Sequence, residues 1–367
     1  MSAQHAARLA ALRAKLAGAD SDAFFSFSPP ANQYLTGFSG STSALVVTPD
    51  QARFLCDFRY TEQAGQQVLD YDVEEVKGDM AVRVGERLDT LGVKAAAFDP
   101  GVVSVSQSTR IQTEFRGAFK PLPDAVSSLR MIKTNEEIEK IRAASQLAEA
   151  VLADLLDSTL RAPGSAGALS ERELAARFEY EFKRRGAEGA AFDTIALFGS
   201  RTSLVHGQPS DRPLEKGDIV LLDLGCRKAG YCSDLTRTYA YGTMPDAWFR
   251  EIYEVTLTAQ KAALNTLKAG IRCREVDAVA RTIIHEAGYG DYFGHGLGHG
   301  VGIEVHEEPR LNAESQAVLE HGMVVTIEPG IYLPERGGVR IEDLVLVTKE
   351  GREVLSSAPK ELEVLAE

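Results

Sequence analysis

The chain of 367 residues has only four cysteines and one tryptophan, no excess of basic charge, and no apolar run approaching the length of a membrane span. Each shortage excludes something. Cys56, Cys226, Cys232 and Cys273 are scattered without a C-x-x-C pair, which argues against a thiolate zinc module or a dense disulfide framework. Cys226 and Cys232 bracket a turn and invite zinc or a disulfide, but the hairpin register offsets them. Small packed thiols in a reducing compartment, the cytoplasm, are the expectation. A net charge of -13 offers no basic face for phosphate and argues against a nucleic-acid partner. With no stretch of about twenty apolar residues, no membrane span is expected. The opening M-S-A-Q-H-A-A-R-L-A-A-L-R-A-K-L places Leu9, Leu12 and Leu16 on one side of a helix. No small-residue cleavage site follows an apolar core, so it reads as a surface helix rather than a targeting segment.

What is present is enough length for two domains and a large core. Up to about residue 120, short strand-like runs (Ala44 to Val47, Phe54 and Leu55) alternate with helical stretches near residues 60–68 and 80–91, the pattern of an α/β domain. Pro121 and Pro123 interrupt any regular element and mark a joint, giving domains at 1–127 and 128–367. Thr134 and Glu137 spell a capping box for a long helix with Ile138, Ile141, Ala148, Leu152 and Leu155 on its buried side. After the breaker Pro163-Gly164, Ser170 and Glu173 repeat the signature. Helical segments at 246–268 and 273–287, broken at Gly270, follow a first apolar hairpin and precede a second. The order helix, helix, hairpin thus occurs twice, and each hairpin carries two acids.

The first hairpin is I-V-L-L-D-L-G-C-R-K-A-G-Y-C-S-D-L-T-R-T. With Lys228 and Ala229 at its tip, facing positions share one number sum and Asp223 falls opposite Asp234. Like charges about 4.5–5.5 Å apart at Cβ repel, so a cation belongs between them. In the second hairpin, a turn centred near Glu335 lets Glu328 face Glu342, with Pro329 and Gly330 kinking the first strand. His299 stands among glycines in G-H-G-L-G-H-G-V-G, where small neighbours permit close backbone approach. Any one of these acids alone is as readily a salt-bridge partner. Together, two Asp, two Glu and one His form a mostly hard oxygen set that suits two divalent ions such as Mn²⁺, with Co²⁺ or Zn²⁺ as further candidates. Paired ions about 3.5–4 Å apart lower the pKa of a shared water and polarise a carbonyl, so hydrolysis is the natural chemistry. His206, His295 and His306 are placed to donate hydrogen bonds to a substrate carbonyl or oxyanion and to shuttle a proton to a leaving amine. His5, His285 and His321 read as structural.

In order, His206, L-L-D-L-G at Asp223, S-D-L-T-R-T at Asp234, G-H-G-L-G-H-G-V-G at His299, V-H-E-E-P at His306, T-I-E-P-G at Glu328 and G-V-R-I-E-D at Glu342 closely resemble the pita-bread metallopeptidases. Within them the chain looks like the Xaa-Pro branch, the prolidases and aminopeptidases P. The amino-terminal N-Q-Y-L-T-G-F-S-G-S and D-F-R-Y are similar to the creatinase-like domain of that branch. The resemblance implies a mixed α/β (α+β) chain: a creatinase-like α/β domain followed by a pita-bread catalytic domain. It also implies that Asp223, Asp234, His299, Glu328 and Glu342 are the metal ligands, with Asp234 and Glu342 contacting both ions. His206, His295 and His306 would line the substrate, Glu328 would accept a proton from the attacking water, and Arg340 would orient a carboxylate from behind. The implied substrate is a peptide with proline as second residue, and the implied assembly is a homodimer.

Y-L-T-G-F-S-G-S and D-F-R-Y look more like small aminopeptidases P, in which an arginine such as Arg59 reaches a neighbouring subunit's cleft. Arg310, following His306 in H-E-E-P-R, matches an arginine that binds the proline carboxylate in some prolidases and also occurs in related aminopeptidases. The expectation is therefore an Xaa-Pro aminopeptidase, with the dipeptidase as alternative; for both arginines an ordinary salt-bridged surface role competes. A methionine aminopeptidase shares the five ligands but usually lacks an amino domain of this size. A creatinase-type amidinohydrolase shares the layout without the metal set. A non-catalytic peptide-binding relative would typically have lost ligands, and this chain retains all five.

Overall fold

The computed structural model describes residues 3–162, 164 and 166–365. The chain divides into two compact units, Met1–Arg130 and Met131–Glu367.

The first unit is built on six strands: β1 (Ala23–Ser26), β2 (Ala44–Val47), β3 (Ala52–Cys56), β4 (Asp72–Glu75), β5 (Ala95–Phe98) and β6 (Ala118–Pro121). Their order is β4-β3-β2-β1-β5-β6. β1, β2 and β3 pair antiparallel in sequence, and β4, β5 and β6 join in parallel. The central strands are buried along their whole length, which is why they read as unbroken apolar runs such as A-L-V-V instead of alternating. One layer packs Phe25, Val46 and Leu55 against Val84, Leu88 and Ile111, from helices Met80–Thr90 and Val105–Glu114, and against Phe115, which caps the second of them. The opening helix, Ala3–Gly18, buries Leu9, Leu12 and Leu16 as its period predicts.

In the second unit the helix Asn135–Leu155 starts at Thr134 with the full capping box, Thr134 and Glu137 bonding reciprocally. Ser170 caps helix Glu171–Arg184 in the same way, but Glu173 turns to Arg177 at 2.5 Å instead of closing the box. The expected breaker is only partly visible: Gly164 adopts a φ of 84°, and Pro163 lies outside the described residues. These two helices cover the first hairpin, with Phe178, Phe182 and Leu152 against Val220, Leu222 and Tyr239. Helices Ala247–Thr266 and Cys273–Glu286 cover the second hairpin, with Phe249, Ile252 and Ile284 against Val325, Ile327 and Val345. Each hairpin therefore buries one face on its own helix pair, leaving the opposite edges to meet. They do meet: Glu342 N donates to Thr236 O at 3.1 Å, and Thr238 Oγ1 donates to Arg340 O at 2.9 Å. All four cysteines are buried and unbonded. No helix among the described residues is long and apolar enough to cross a membrane.

Candidate metal centre

Strands Ile219–Leu224 and Leu235–Ala240 pair antiparallel, with Thr236 facing Asp223, while nearer the tip Arg227 faces Cys232 and Lys228 faces Tyr231. The tip is therefore Ala229-Gly230, with φ of 51° and 78°. Both values are left-handed, as the two-residue turn that matches strand twist requires. This corrects the expected register. Gly230 takes the positive φ without steric cost, so the turn centres one residue later and Asp223 does not face Asp234 directly. The shift slides the partner strand by two residues, and side-chain parity repeats every two, so Asp234 stays on the face of Asp223, one diagonal step away. At the break beside Asp234 only a glycine fits: a Cβ on Gly225 would lie 2.0 Å from Ser233 O.

In the second hairpin Ile327 faces Asp343 and Gly330 faces Arg340. The same number sum holds on both sides of Pro329, which sets Glu328 and Glu342 opposite each other around a turn at Glu335, φ 63°. His299 lies on the short strand Gly298–Gly300, wedged between Glu307–Leu311 and Val324–Ile327. Cβ atoms on Gly298 and Gly300 would sit 2.1 Å from Thr326 O and 2.2 Å from Glu308 O, so the flanking glycines are what admit this strand. His299 Nδ1 lies 3.0 Å from Gly300 O. A carbonyl only accepts, so Nδ1 carries a proton, which leaves Nε2 to face the carboxylates, as a hydrogen-bond donor without a cation or as a lone pair toward one. Nε2 is 3.2 Å from Glu328 Oε1 and 3.6 Å from Asp234 Oδ2.

These side chains line one cavity of about 450 Å³, together with His206, His295, His306, Arg310 and Arg340. Asp234, His299 and Glu342 each offer a ligand atom within 4.8 Å of the others. Arg59 is not among the lining residues. It lies in the amino-terminal unit, exposed, its guanidinium forked onto Asp57 at 2.9 and 2.6 Å.

Asp223, Asp234, Glu328 and Glu342, buried or largely so, here meet one buried guanidinium, Arg340. Burial and the repulsion of neighbouring acids push Asp234 and Glu342 well above the ordinary carboxylate range, and burial raises Asp223 as well. At Glu328 burial also opposes the charge, but the hydrogen bond and charge of His299 outweigh it and hold the group down to about 2. Asp223 Oδ2 accepts from Arg340 Nη2 at 2.6 Å, whereas its Oδ1 is buried with no hydrogen-bond partner. An orphaned carboxylate oxygen beside mutually repelling acids and an imidazole lone pair is a donor set that fits divalent cations. Burial lowers the pKa of His295, and burial followed by the nearby His299 lowers that of His306 to about 4, so both imidazoles are neutral at pH 7.

Thr236, Tyr332 and Arg237 support this site and escaped the sequence reading. Thr236 Oγ1 donates to Glu342 Oε2 at 2.7 Å and accepts from Arg340 Nε at 3.0 Å. Tyr332 accepts from Arg340 Nη1 at 2.9 Å, and its hydroxyl lies 2.9 Å from His295 Nε2. Both were findable by strand period: Thr236 is two residues past Asp234, and Tyr332 four past Glu328. Arg237, on the opposite strand face, pairs with Asp343 at 2.8 Å with both side chains buried, and also donates to Glu342 O.

Residues 139–349 match the model of metallopeptidase family M24, and residues 8–132 match the creatinase/prolidase N-terminal domain. An Xaa-Pro dipeptidase of Pyrococcus furiosus is 41% identical over 91% of this chain and 93% of its own. The Xaa-Pro dipeptidase structure from Bacillus anthracis superposes with a TM-score of 0.93 at 38% identity, over 98% of this chain and 99% of that one. The X-Pro aminopeptidase structure from Thermotoga maritima gives 0.85 at 37% identity, over 94% and 98%. With its creatinase-type amino domain, its pita-bread domain and an acid-rich cavity fit for divalent ions, the chain belongs to metallopeptidase family M24, as a metal-dependent peptidase of the Xaa-Pro branch.

Proposed function

We propose that the chain is an exopeptidase hydrolysing the bond between an N-terminal residue and proline, an aminopeptidase P-like Xaa-Pro aminopeptidase. What carries the reading is the convergence of Asp223, Asp234, Glu328 and Glu342 from the two hairpins with four histidines on one cavity. Asp223, Asp234, His299, Glu328 and Glu342 would hold two divalent ions, with Mn²⁺ the native metal and Co²⁺ or Zn²⁺ able to replace it. When bound, such ions supply Lewis acidity for the scissile carbonyl and bring the pKa of water toward neutrality. Glu328 accepts the proton of the attacking water. Among the described residues none hydrogen-bonds the imidazoles of His206 or His306, so both can turn to the carbonyl and oxyanion and pass a proton to the leaving amine. His295 is held differently, Nδ1 at 2.8 Å from Gly296 O and Nε2 against Tyr332, and shapes the wall with both nitrogens engaged. Arg340 orients Asp223. The bond before proline has no N–H, so recognition rests on ring shape and the peptide termini.

A second reading, an Xaa-Pro dipeptidase, is favoured by Arg310, which lines the cavity where it can meet a proline carboxylate, and by the dipeptidase names of similar proteins. Hydrolysis of an Xaa-Pro dipeptide and an Xaa-Pro-Yaa tripeptide, compared with Mn²⁺ present, separates the two. Preference for the tripeptide supports the aminopeptidase, cleavage of the dipeptide alone establishes the other, and failure on both overturns proline specificity. The same proposal assigns catalysis to residues 128–367 and substrate-length control to 1–127, in a cytoplasmic homodimer where Arg59 approaches the partner's cleft.

A further inference from the structure

One fully buried carboxylate in the catalytic unit belongs to no metal ligand and lines no part of the cavity. Glu171, the first residue of helix Glu171–Arg184, accepts from Phe198 N at 2.8 Å, from Arg201 Nε at 2.9 and 3.1 Å, and from Ser210 N and Oγ at 2.8 and 2.7 Å. Phe198 and Arg201 precede the loop that carries His206, and Ser210 ends it. Val205 to Pro209, between these anchors, all line the cavity. Arg201 adds a strut across the loop, donating from Nη2 to Gln208 O at 2.7 Å. The loop floor is tight, since a Cβ on Gly207 would come within 2.8 Å of Leu197. A buried charge is retained only where hydrogen bonds and a counter-charge compensate it, and here each compensating donor belongs to one end of a single loop.

We infer that Glu171 is a positioning residue that clamps both ends of the 201–210 loop and so fixes His206 against the substrate. Its hydrogen bonds go to residues 198–210, and among the described residues it bonds to no metal-ligating side chain; Phe198, at the near end, closes the strand that pairs with the strand of Asp223. The inference deepens the proposed function, since it takes from that reading the contact of His206 with substrate. Glu171→Gln preserves shape but removes the charge facing Arg201 and turns an amide N–H toward a set in which only the Ser210 hydroxyl can accept, Phe198 N, Ser210 N and Arg201 Nε being donors, so at least one anchor is weakened.

The test is a double-mutant cycle of E171Q and H206A in kcat/KM on an Xaa-Pro substrate with Mn²⁺, alongside Mn²⁺ titration calorimetry and amide hydrogen exchange. Each single variant is expected to lose about 10–100-fold in kcat/KM, and E171Q to cost less than about threefold once His206 is alanine. Mn²⁺ affinity of E171Q stays within about threefold of wild type, while exchange at residues 204–210 accelerates ahead of the hairpin amides. A full additive loss in the H206A background, or unchanged loop exchange, overturns the clamp. Should E171Q fail to fold, Ser210→Ala removes one hydroxyl anchor and must show the same non-additivity on a smaller scale; additivity there also overturns it. If H206A alone leaves kcat/KM intact, the substrate contact of His206 is refuted instead, and loop exchange still decides the clamp.

Discussion

Thr236→Val isolates what a single hydroxyl contributes to the metal centre. The side chain is fully buried, and valine keeps nearly its shape, so little is changed except the polar atom. Two bonds are lost: the 2.7 Å donation to Glu342 Oε2 and the 3.0 Å acceptance from Arg340 Nε. Bonds to charged groups are each worth about 1.5–3 kcal/mol, and unmade buried ones cost the full desolvation. Arg340 retains Tyr332, Asp223 and Val205 O as partners, which offsets part of that loss. About 2–3 kcal/mol should therefore appear at the site, or roughly 30–150-fold in metal affinity. Titration calorimetry of metal-free protein with Mn²⁺ reads this directly, and kcat/KM measured at saturating Mn²⁺ separates poor binding from poor geometry. Thr236→Ser, which restores the hydroxyl, should recover most of the affinity. A valine variant within about threefold of wild type in both measurements would refute the reasoning that this hydroxyl ties Glu342 to Arg340.

Gly298→Ala should destabilise the protein by about 1–3 kcal/mol or more in denaturant melts, because its Cβ would meet Thr326 O at 2.1 Å; unchanged stability would contradict the wedge geometry of the histidine strand. Removing metal with a chelator should lower the Tm of the catalytic unit by about 5–10 °C relative to protein with Mn²⁺ at a hundred times its Kd, and adding Mn²⁺ back should restore it. A Tm indifferent to metal would separate the acid cluster from cation binding. Asp223→Asn and His299→Ala should each nearly abolish hydrolysis while leaving far-UV circular dichroism intact, and activity within about tenfold of wild type with Mn²⁺ would show the ligand assignment to be wrong. Arg237→Met should cost less than the about 3–5 kcal/mol of a fully stranded buried partner, because Lys360 and Gln260 remain on Asp343, and adding Asp343→Leu should recover part of it; a double variant weaker than the two singles combined would exclude the ion pair as the cause.

The apolar strands, both helix pairs and the second hairpin are legible because each follows from local chemistry. Thr134 and Glu137 announce a cap, and the spacing of Ile138, Ile141 and Leu152 announces a buried face. The first hairpin shows where such reading stops. Its strands are plain, but its tip depends on which of Lys228, Ala229 and Gly230 take positive φ, and only the glycine does so freely. The error in register did not move Asp223 and Asp234 to different faces, since a two-residue slide preserves parity; a slide of one would have destroyed the inference. Thr236, Tyr332 and Glu171 were not singled out because a lone hydroxyl or carboxylate carries no chemistry until its partners arrive from remote segments. Glu171 is bonded by residues 27 and 39 positions away, Thr236 by residues 104 and 106 away.

The duplicated order of helix, helix and hairpin explains why the metal centre sits where it does. Each hairpin buries one face on its own helices, and each carries a pair of acids it cannot neutralise by itself. Among the described residues neither Asp223 nor Asp234 pairs with a cation of the first hairpin, whose Arg237 turns to Asp343 and Arg227 to Ile303 O, and Glu328 shares the second with Glu342 and Arg340, whose guanidinium reaches across to Asp223. Bringing the halves together through Thr236 and Thr238 buries and concentrates these carboxylates, and that burial, with the repulsion added to it, raises the pKa of Asp234 and Glu342. The seam is thus an unfavourable place to be without a cation and a favourable one to hold it. Metal binding should therefore couple the two halves, and chelation should loosen the contact between the hairpins before it affects either helix pair.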